Sequence, residues 1–141
     1  YLRKKGFKNG LKKHSLKFNS HLYKTTSLED PSHSKNITLD LLKNNPDLKC
    51  IICSTEYSSV GAIQACVELN KKIGKDVSLI TFDGPVVESL TNPHISAVSH
   101  PLEELGTNAI KILMHPDKQQ EYSSFLVTPK IIDRGSVKSL I

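Results

Sequence analysis

An acidic residue at the end of an apolar run is the feature of this sequence best suited to chemistry. The run Val77–Phe82 predicts a buried strand, and Asp83 and Gly84 end it. Open α/β folds place their ligands at the carboxyl ends of parallel strands, so a carboxylate at that point is well placed to contact one. The sequence provides no evident general base beside Asp83. The pattern therefore favours binding of a ligand that carries hydroxyl groups over catalysis.

Other chemistry-bearing motifs are weak or missing. The sequence lacks the usual motifs of phosphate-binding loops, dinucleotide-binding folds, serine hydrolases and zinc proteases. Cys50 and Cys53 match Cys-x-x-Cys, but they fall in a predicted strand, where residues three apart point to opposite faces. With Cys66 the cysteine count is three, which suits a reducing compartment better than a disulfide framework. We therefore expect no enzyme activity, no cofactor and no metal.

Positive charge is concentrated at the start of the chain. Seven of the 19 lysines and arginines lie in the first seventeen residues, where there is no acid, and the net charge of the chain is +5. A contact with nucleic acid or an anionic surface is one interpretation. A solvated helix face is the other, and we favour it because one short run of charge is a weak signal. No apolar run is long enough to span a membrane.

Hydrophobic periodicity predicts helices that alternate with strands. The predicted helices cover the start of the chain, residues 31–45, residues 56–74 and residues 101–115, and the predicted strands are 19–26, 50–53, 77–82, 95–99 and 125–132. This alternation is typical of parallel strands joined by helical crossovers. Pro129 places the last strand at an edge or bend, and residues 118–124 are the best loop candidate. The candidate core positions of the helices include Ile37, Leu41, Leu42, Val60, Ile63, Val67, Leu102, Leu105, Ile112 and Leu113.

Several segments, in the same order and spacing, resemble the effector-binding domain of LacI/GalR-type transcription regulators. Val77–Gly84 is similar to a family strand that reads roughly Val-Ser-Val-Val-Gly-Phe-Asp-Asp. Ser54–Ala62 is similar to a segment that reads Ala-Asn-Asp-x-x-Ala-Leu-Gly-Ala. Arg3–Phe7 resembles a helix with Arg-x-x-Gly-Phe, and Arg134–Ser136 resembles the usual ending of the family. The resemblance implies an α/β fold of the periplasmic-binding-protein-like type I, with a parallel sheet flanked by helices and a cleft between two subdomains.

The resemblance also implies four ligand contacts. Arg3 falls where the family places an arginine that grips sugar hydroxyls, and Asp83 falls on the first acid of Phe-Asp-Asp, a hydroxyl acceptor. Thr55 falls where most members have an asparagine that contacts the ligand. His100 falls where many members have a glutamine near the hinge of the cleft. A guanidinium and a carboxylate can together hold neighbouring hydroxyls through charge-assisted hydrogen bonds, which favours a sugar or a sugar phosphate.

Each of these residues has a purely structural alternative. Arg3 could be a solvated charge, and Asp83 could cap a short helix that follows it. Thr55 could begin a helix, and His100 could cap the helix that Pro101 is suited to open. Two departures from the family pattern, Thr55-Glu56 in place of Asn-Asp and Gly84 in place of the second acid, leave the identity of the sugar open.

The resemblance implies that residues 1–94 and 120–141 form mainly the C-terminal subdomain, whereas residues 95–119 cross into the N-terminal subdomain. We expect this chain to be the incomplete C-terminal part of a longer protein. The rest of the N-terminal subdomain, the first strand of the C-terminal one and a DNA-binding head are expected to lie outside it.

The expected function is sugar sensing by a bacterial, cytoplasmic transcription regulator, a homodimeric repressor that binds operator DNA through its head. A ligand would close the cleft by a hinge motion and bias the dimer between two states. A sugar-binding protein of a transport system is an alternative, since it shares the fold. The same domain on a winged-helix head, as in arabinose repressors, is another, because those proteins share the His100-Pro101 pair. An α/β enzyme that uses Asp83 is disfavoured by the missing partners.

Overall fold

The computed structural model describes residues 1–26, 30–83, 91–115 and 126–138. The four strands form one sheet in the order β1-β2-β3-β4, in which β1, β2 and β3 are parallel and β4 is antiparallel to β3. The predicted α/β class with a mostly parallel sheet is therefore confirmed. In chain order the elements are α1 (Leu2–Lys13), a 3₁₀ helix (Ser20–Leu22), α2 (Pro31–Asn44), β1 (Cys50–Cys53), α3 (Glu56–Glu68), β2 (Ser78–Phe82), β3 (Ser96–Ser99), α4 (Leu102–Met114) and β4 (Lys130–Ile132).

Local sequence signals explain where α2 and α3 begin. The Asp30 side chain accepts a hydrogen bond from the Ser32 amide at 2.8 Å, and Pro31 occupies the first turn of α2. Thr55 and Ser58 form a reciprocal capping box at the start of α3. Both caps satisfy amide groups that the first turn of a helix leaves without partners.

The core lies where α3 meets the sheet and α2. Fully buried Ala62, Cys66, Leu79 and Ile95 belong to two adjoining apolar clusters. Burying one large aliphatic side chain contributes about 1.5–3 kcal/mol to stability, so these clusters hold the layers together. α2 approaches α3 closely at Gly61, where a β-carbon would lie 2.3 Å from the Pro31 carbonyl oxygen.

The segment that follows β4 closes the sheet at the start of β2 and β3. The Ser136 hydroxyl is fully buried, accepts from the Ser96 amide at 2.7 Å and donates to the Leu79 carbonyl. The Leu79 amide donates in turn to the Ser136 carbonyl at 3.0 Å. Hydrogen bonds from the Gly135 amide and the Ser96 hydroxyl hold the pKa of the Asp133 carboxyl below its usual value. Ser136 thus links β2 to β3 through hydrogen bonds to both strands, and we call this link the Ser136 clamp.

The predicted strand over residues 19–26 is wrong. The structure has a 3₁₀ helix at Ser20–Leu22, and the Asn19 side chain accepts a hydrogen bond from the His21 amide at 2.9 Å. A local side-chain bond of this kind competes with an extended ladder, and within the described residues no strand pairs with this segment. Tyr23 instead contacts Phe18, which packs against α1.

The apolar face predicted to be buried in α4 is largely open, and α1 is open as well. Neither helix contains a buried residue, and Leu102 and Leu113 are 67% and 73% exposed. Val67 of α3, another predicted core residue, is also exposed. The spacing of apolar residues correctly predicts amphipathic helices, but it carries no information about which element covers them. None of the described helices is both long and apolar enough to cross a membrane.

The edge position predicted for the last strand is confirmed, because β4 begins directly after Pro129 and lies at one side of the sheet. The predicted loop over residues 118–124, the start of the predicted last strand and Gly84 lie outside the described residues. The division of the chain at residues 94 and 120 stays a prediction. β3 lies at the start of residues 95–119, the segment predicted to cross into the N-terminal subdomain. It pairs with β2 and with β4.

The contact at Gly61 gives a stability prediction. Gly61→Ala places a methyl group against backbone atoms of α2, so we expect the free energy of unfolding to fall by about 1–3 kcal/mol. Gly106→Ala in α4 is the matched control, because nothing lies within 4 Å of its added carbon. That variant should be neutral or gain about 0.5–1 kcal/mol from helix propensity. Urea unfolding followed by circular dichroism measures both, and equal stabilities would contradict the close packing.

Burial of two thiols gives a second prediction. Burial raises the pKa of Cys53 to about 12 and that of Cys66 to about 11, so almost no thiolate forms at pH 8. In a Cys50→Ser variant, we expect a thiol reagent to modify neither cysteine in the folded protein and both in denaturant. Mass spectrometry counts the modified residues. Rapid modification of the folded variant would show that α3 does not seal this part of the core.

Candidate ligand-binding site

The parallel register brings three strand ends to one edge of the sheet. Cys53 lies opposite Thr81, and Phe82 lies opposite Val98. The Asp83 amide extends this ladder by donating to the Val98 carbonyl at 2.9 Å. Asp83 then adopts φ 60°, a left-handed conformation that aspartate tolerates better than most residues, and the strand ends there. The carboxylate therefore lies at the carboxyl edge, where the sequence predicts it.

Arg3 of α1 contacts this edge through both its charge and its flat face. Its Nη1 group donates to the Ser54 carbonyl, which follows β1 directly. Its Nη2 atom lies 3.6 Å from Asp83 Oδ2, and its Cζ atom lies 4.7 Å from the centre of the Phe82 ring. These three contacts fix the guanidinium across two strand ends. Arg3 therefore makes specific contacts, which the alternative of a purely solvated charge does not explain.

His100 completes the cluster from the residue that follows β3. Its Nδ1 atom contacts Asp83 Oδ1, so the two carboxylate oxygens have different partners. His100 does not cap α4, because Pro101 occupies the cap position and provides no side-chain hydrogen bond. The side chains of Arg3 and Asp83 are 43% and 41% exposed, which leaves both accessible to a ligand.

Thr55 lies beside this cluster, but its side chain serves the helix. Its hydroxyl accepts from the Ser58 amide at 3.2 Å and lies 3.0 Å from the Ser58 hydroxyl. The alternative in which Thr55 begins a helix is therefore correct. A ligand contact by Thr55 stays a prediction, as do those of the other three residues.

The cluster combines hydrogen-bond donors and acceptors without the composition of a metal site. Within the described ranges, no group of three or more histidines, cysteines and acids could hold a metal ion. The guanidinium keeps N–H groups, and each carboxylate oxygen keeps a lone pair, that the present contacts do not use. An array of this kind can bind neighbouring hydroxyl groups from both sides, because one group donates and the other accepts.

The sequence does not predict two further contributors to the site. The Phe82 ring stacks against the guanidinium of Arg3, and the Ser54 carbonyl accepts a hydrogen bond from it. Phe82 stands in the motif directly before Asp83, but nothing in the sequence connects it with an arginine near the start of the chain. The Ser54 contact depends on backbone and links residues 51 positions apart, so side-chain identity carries no signal for it.

Comparison with known proteins identifies the fold. Residues 1–137 match the model of the periplasmic binding protein-like domain. The HTH-type transcriptional regulator MalR of Streptomyces coelicolor is 28% identical over 95 residues, which are 66% of this chain and 28% of MalR. A crystal structure from Staphylococcus saprophyticus, described as a transcription regulator, superposes with a TM-score of 0.84 at 26% identity and covers 96% of this chain and 51% of that one.

A LacI family transcriptional regulator from Arthrobacter sp. FB24, solved in complex with lactose, has the same fold. It superposes with a TM-score of 0.70 at 18% identity, over 78% of this chain and 43% of that chain. This chain thus spans about half or less of the length of these proteins. It belongs to the family of periplasmic binding protein-like domains, in the form found in LacI/GalR-type transcription regulators.

Proposed function

We propose that this chain is the sugar-sensing part of the effector-binding domain of a LacI/GalR-type repressor. The observation that carries the proposal is the group of Arg3, Asp83 and His100 at the carboxyl edge of the parallel sheet. The ligand is a mono- or disaccharide or a sugar phosphate. Relatives described as HTH-type transcriptional regulators and a similar fold bound to lactose support this assignment.

In the proposed mechanism, sugar hydroxyls bind between the guanidinium of Arg3 and the carboxylate of Asp83. Phe82 holds the plane of the guanidinium, so little side-chain freedom is lost when a ligand binds. Thr55 and His100 line the same edge and contribute to the choice of sugar. Binding closes the cleft against the N-terminal subdomain, and a coupling of about 1–3 kcal/mol between sugar and operator DNA would be ordinary for such a switch.

The complete protein would act in the bacterial cytoplasm as a homodimer that binds operator DNA through a head outside this chain. Its relatives are transcriptional regulators rather than enzymes, which supports binding without turnover. A transport protein with the same fold would bind a sugar equally well. A DNA-binding assay on the full-length protein separates the two functions. A regulator binds DNA sequence-selectively, and the sugar changes its affinity for DNA, whereas a transport protein does neither.

The charge of Asp83 gives the test of the site. Asp83→Asn keeps a residue that tolerates the left-handed backbone but removes the negative charge. Hydrogen bonds to charged groups contribute about 1.5–3 kcal/mol, so we expect the dissociation constant for the sugar to rise about tenfold or more. Isothermal titration of the full-length protein with lactose, cellobiose, arabinose and glucose 6-phosphate measures it.

Asp76→Asn is the matched control, because Asp76 precedes β2 and therefore lies at the other end of the strand from Asp83. Its sugar affinity should equal that of the wild type, and Arg3→Ala should behave like Asp83→Asn. Unchanged affinity in both site variants would show that the site is elsewhere. Absence of binding to every sugar in the panel would refute a sugar as the effector.

A further inference from the structure

Two hydroxyl groups are buried directly beneath the candidate site. Thr81 of β2 and Ser59 of α3 are 1% and 0% exposed, and their side-chain oxygens lie 3.1 Å apart. Ser59 Oγ also lies 2.6 Å from the Glu56 carbonyl, which can only accept. Ser59 therefore donates to Glu56, and Thr81 donates to Ser59, with the Phe82 and Thr55 carbonyls as further acceptors at 3.2 and 3.5 Å. The pair forms a directed chain of hydrogen bonds from the end of β2 to the first turn of α3.

Both positions depart from the motifs that this chain otherwise resembles. Thr81 stands where the family strand Val-Ser-Val-Val-Gly-Phe-Asp-Asp has glycine. Ser59 stands where the segment Ala-Asn-Asp-x-x-Ala-Leu-Gly-Ala has alanine. Each hydroxyl also has a backbone acceptor nearby, so what the two departures add together is a direct hydrogen bond between β2 and α3. The pairing needs both hydroxyls, and neither of the two motifs quoted above contains one at these positions.

The location of the pair connects it with Arg3. Thr81 is followed directly by Phe82 and Asp83, which stack on and pair with the guanidinium. Ser59 lies in the first turn of α3, which begins just after Ser54, the acceptor of the Arg3 Nη1 hydrogen bond. All three contacts of Arg3 therefore come from the two backbone segments that the hydroxyl pair joins.

We propose that Thr81 and Ser59 are positioning residues, whose buried hydroxyl pair fixes the end of β2 against the first turn of α3 and so sets the geometry in which Arg3 is held. The predicted effect on sugar affinity rests on the proposed function. The predicted effect on the mobility of Arg3 does not, because it requires no ligand. Buried polar pairs in a surrounding of low polarity are strong and directional, which suits this role.

The test compares Thr81→Val, which removes only the hydroxyl function, with Thr38→Val in the full-length protein. Thr38 is the matched control because it is also buried, donates a hydrogen bond to the Ser34 carbonyl at 2.8 Å and lies in α2, away from Arg3. Nuclear magnetic resonance measures water exchange of the Arg3 Nε–H group without ligand. Calorimetry measures the affinity for whichever sugar of the panel the wild type binds. Thr81→Ser retains the hydroxyl and tests for rescue.

We expect Thr81→Val to accelerate Arg3 exchange and to weaken sugar binding about threefold to tenfold, whereas Thr38→Val leaves both unchanged and Thr81→Ser restores both. Ser59→Ala, which removes the acceptor, should reproduce the effect and replaces Thr81→Val if that variant does not fold. If Thr81→Val and Thr38→Val behave alike, the positioning role is refuted, even where Arg3→Ala still weakens sugar binding. If no sugar binds the wild type, the proposed function fails, and the exchange of Arg3 alone decides the positioning role.

Discussion

The parallel pairing of β1, β2 and β3 is the constraint on which the candidate site depends. Parallel strands end at the same edge, so the residues that follow them meet there whatever their separation in sequence. The register places Thr81 beside Cys53 and Phe82 beside Val98. Ser54, Asp83 and His100 are the residues that emerge from this ladder. A shift of one residue in either pairing would turn these side chains to the other face.

The forces that hold the site differ from those that hold the fold. Stability comes from the apolar layer between α3 and the sheet and from the Ser136 clamp on Leu79 and Ser96. The Arg3–Asp83 pair is half-exposed and solvent screens it, so it contributes only about 0–1 kcal/mol to stability. The small contribution of this pair to folding agrees with the ligand-binding role proposed for Arg3 and Asp83.

The sequence predicts most elements of this chain, and the errors have physical causes. The start of α2 at Asp30-Pro31 and the strand that ends at Asp83 carry strong local signals, and both are correct. The strand predicted near Leu22 fails because Asn19 forms a local turn and strand formation needs a partner. The apolar stripe of α4 is real, but burial depends on a neighbouring surface, and in the described part of the chain that stripe is largely open.

The sequence by itself determined the α/β class, the family resemblance and the placement of Asp83 at a strand end, because periodicity, caps and motifs are local properties. It also named Arg3 and His100 through that resemblance. Only the tertiary structure decided that Arg3 stacks on Phe82 and bonds to the Ser54 carbonyl, that Thr55 serves as a cap, and that Thr81 and Ser59 share a buried hydrogen bond. Such contacts join residues far apart in the chain, and the strand register and helix packing that create them are set by the whole fold.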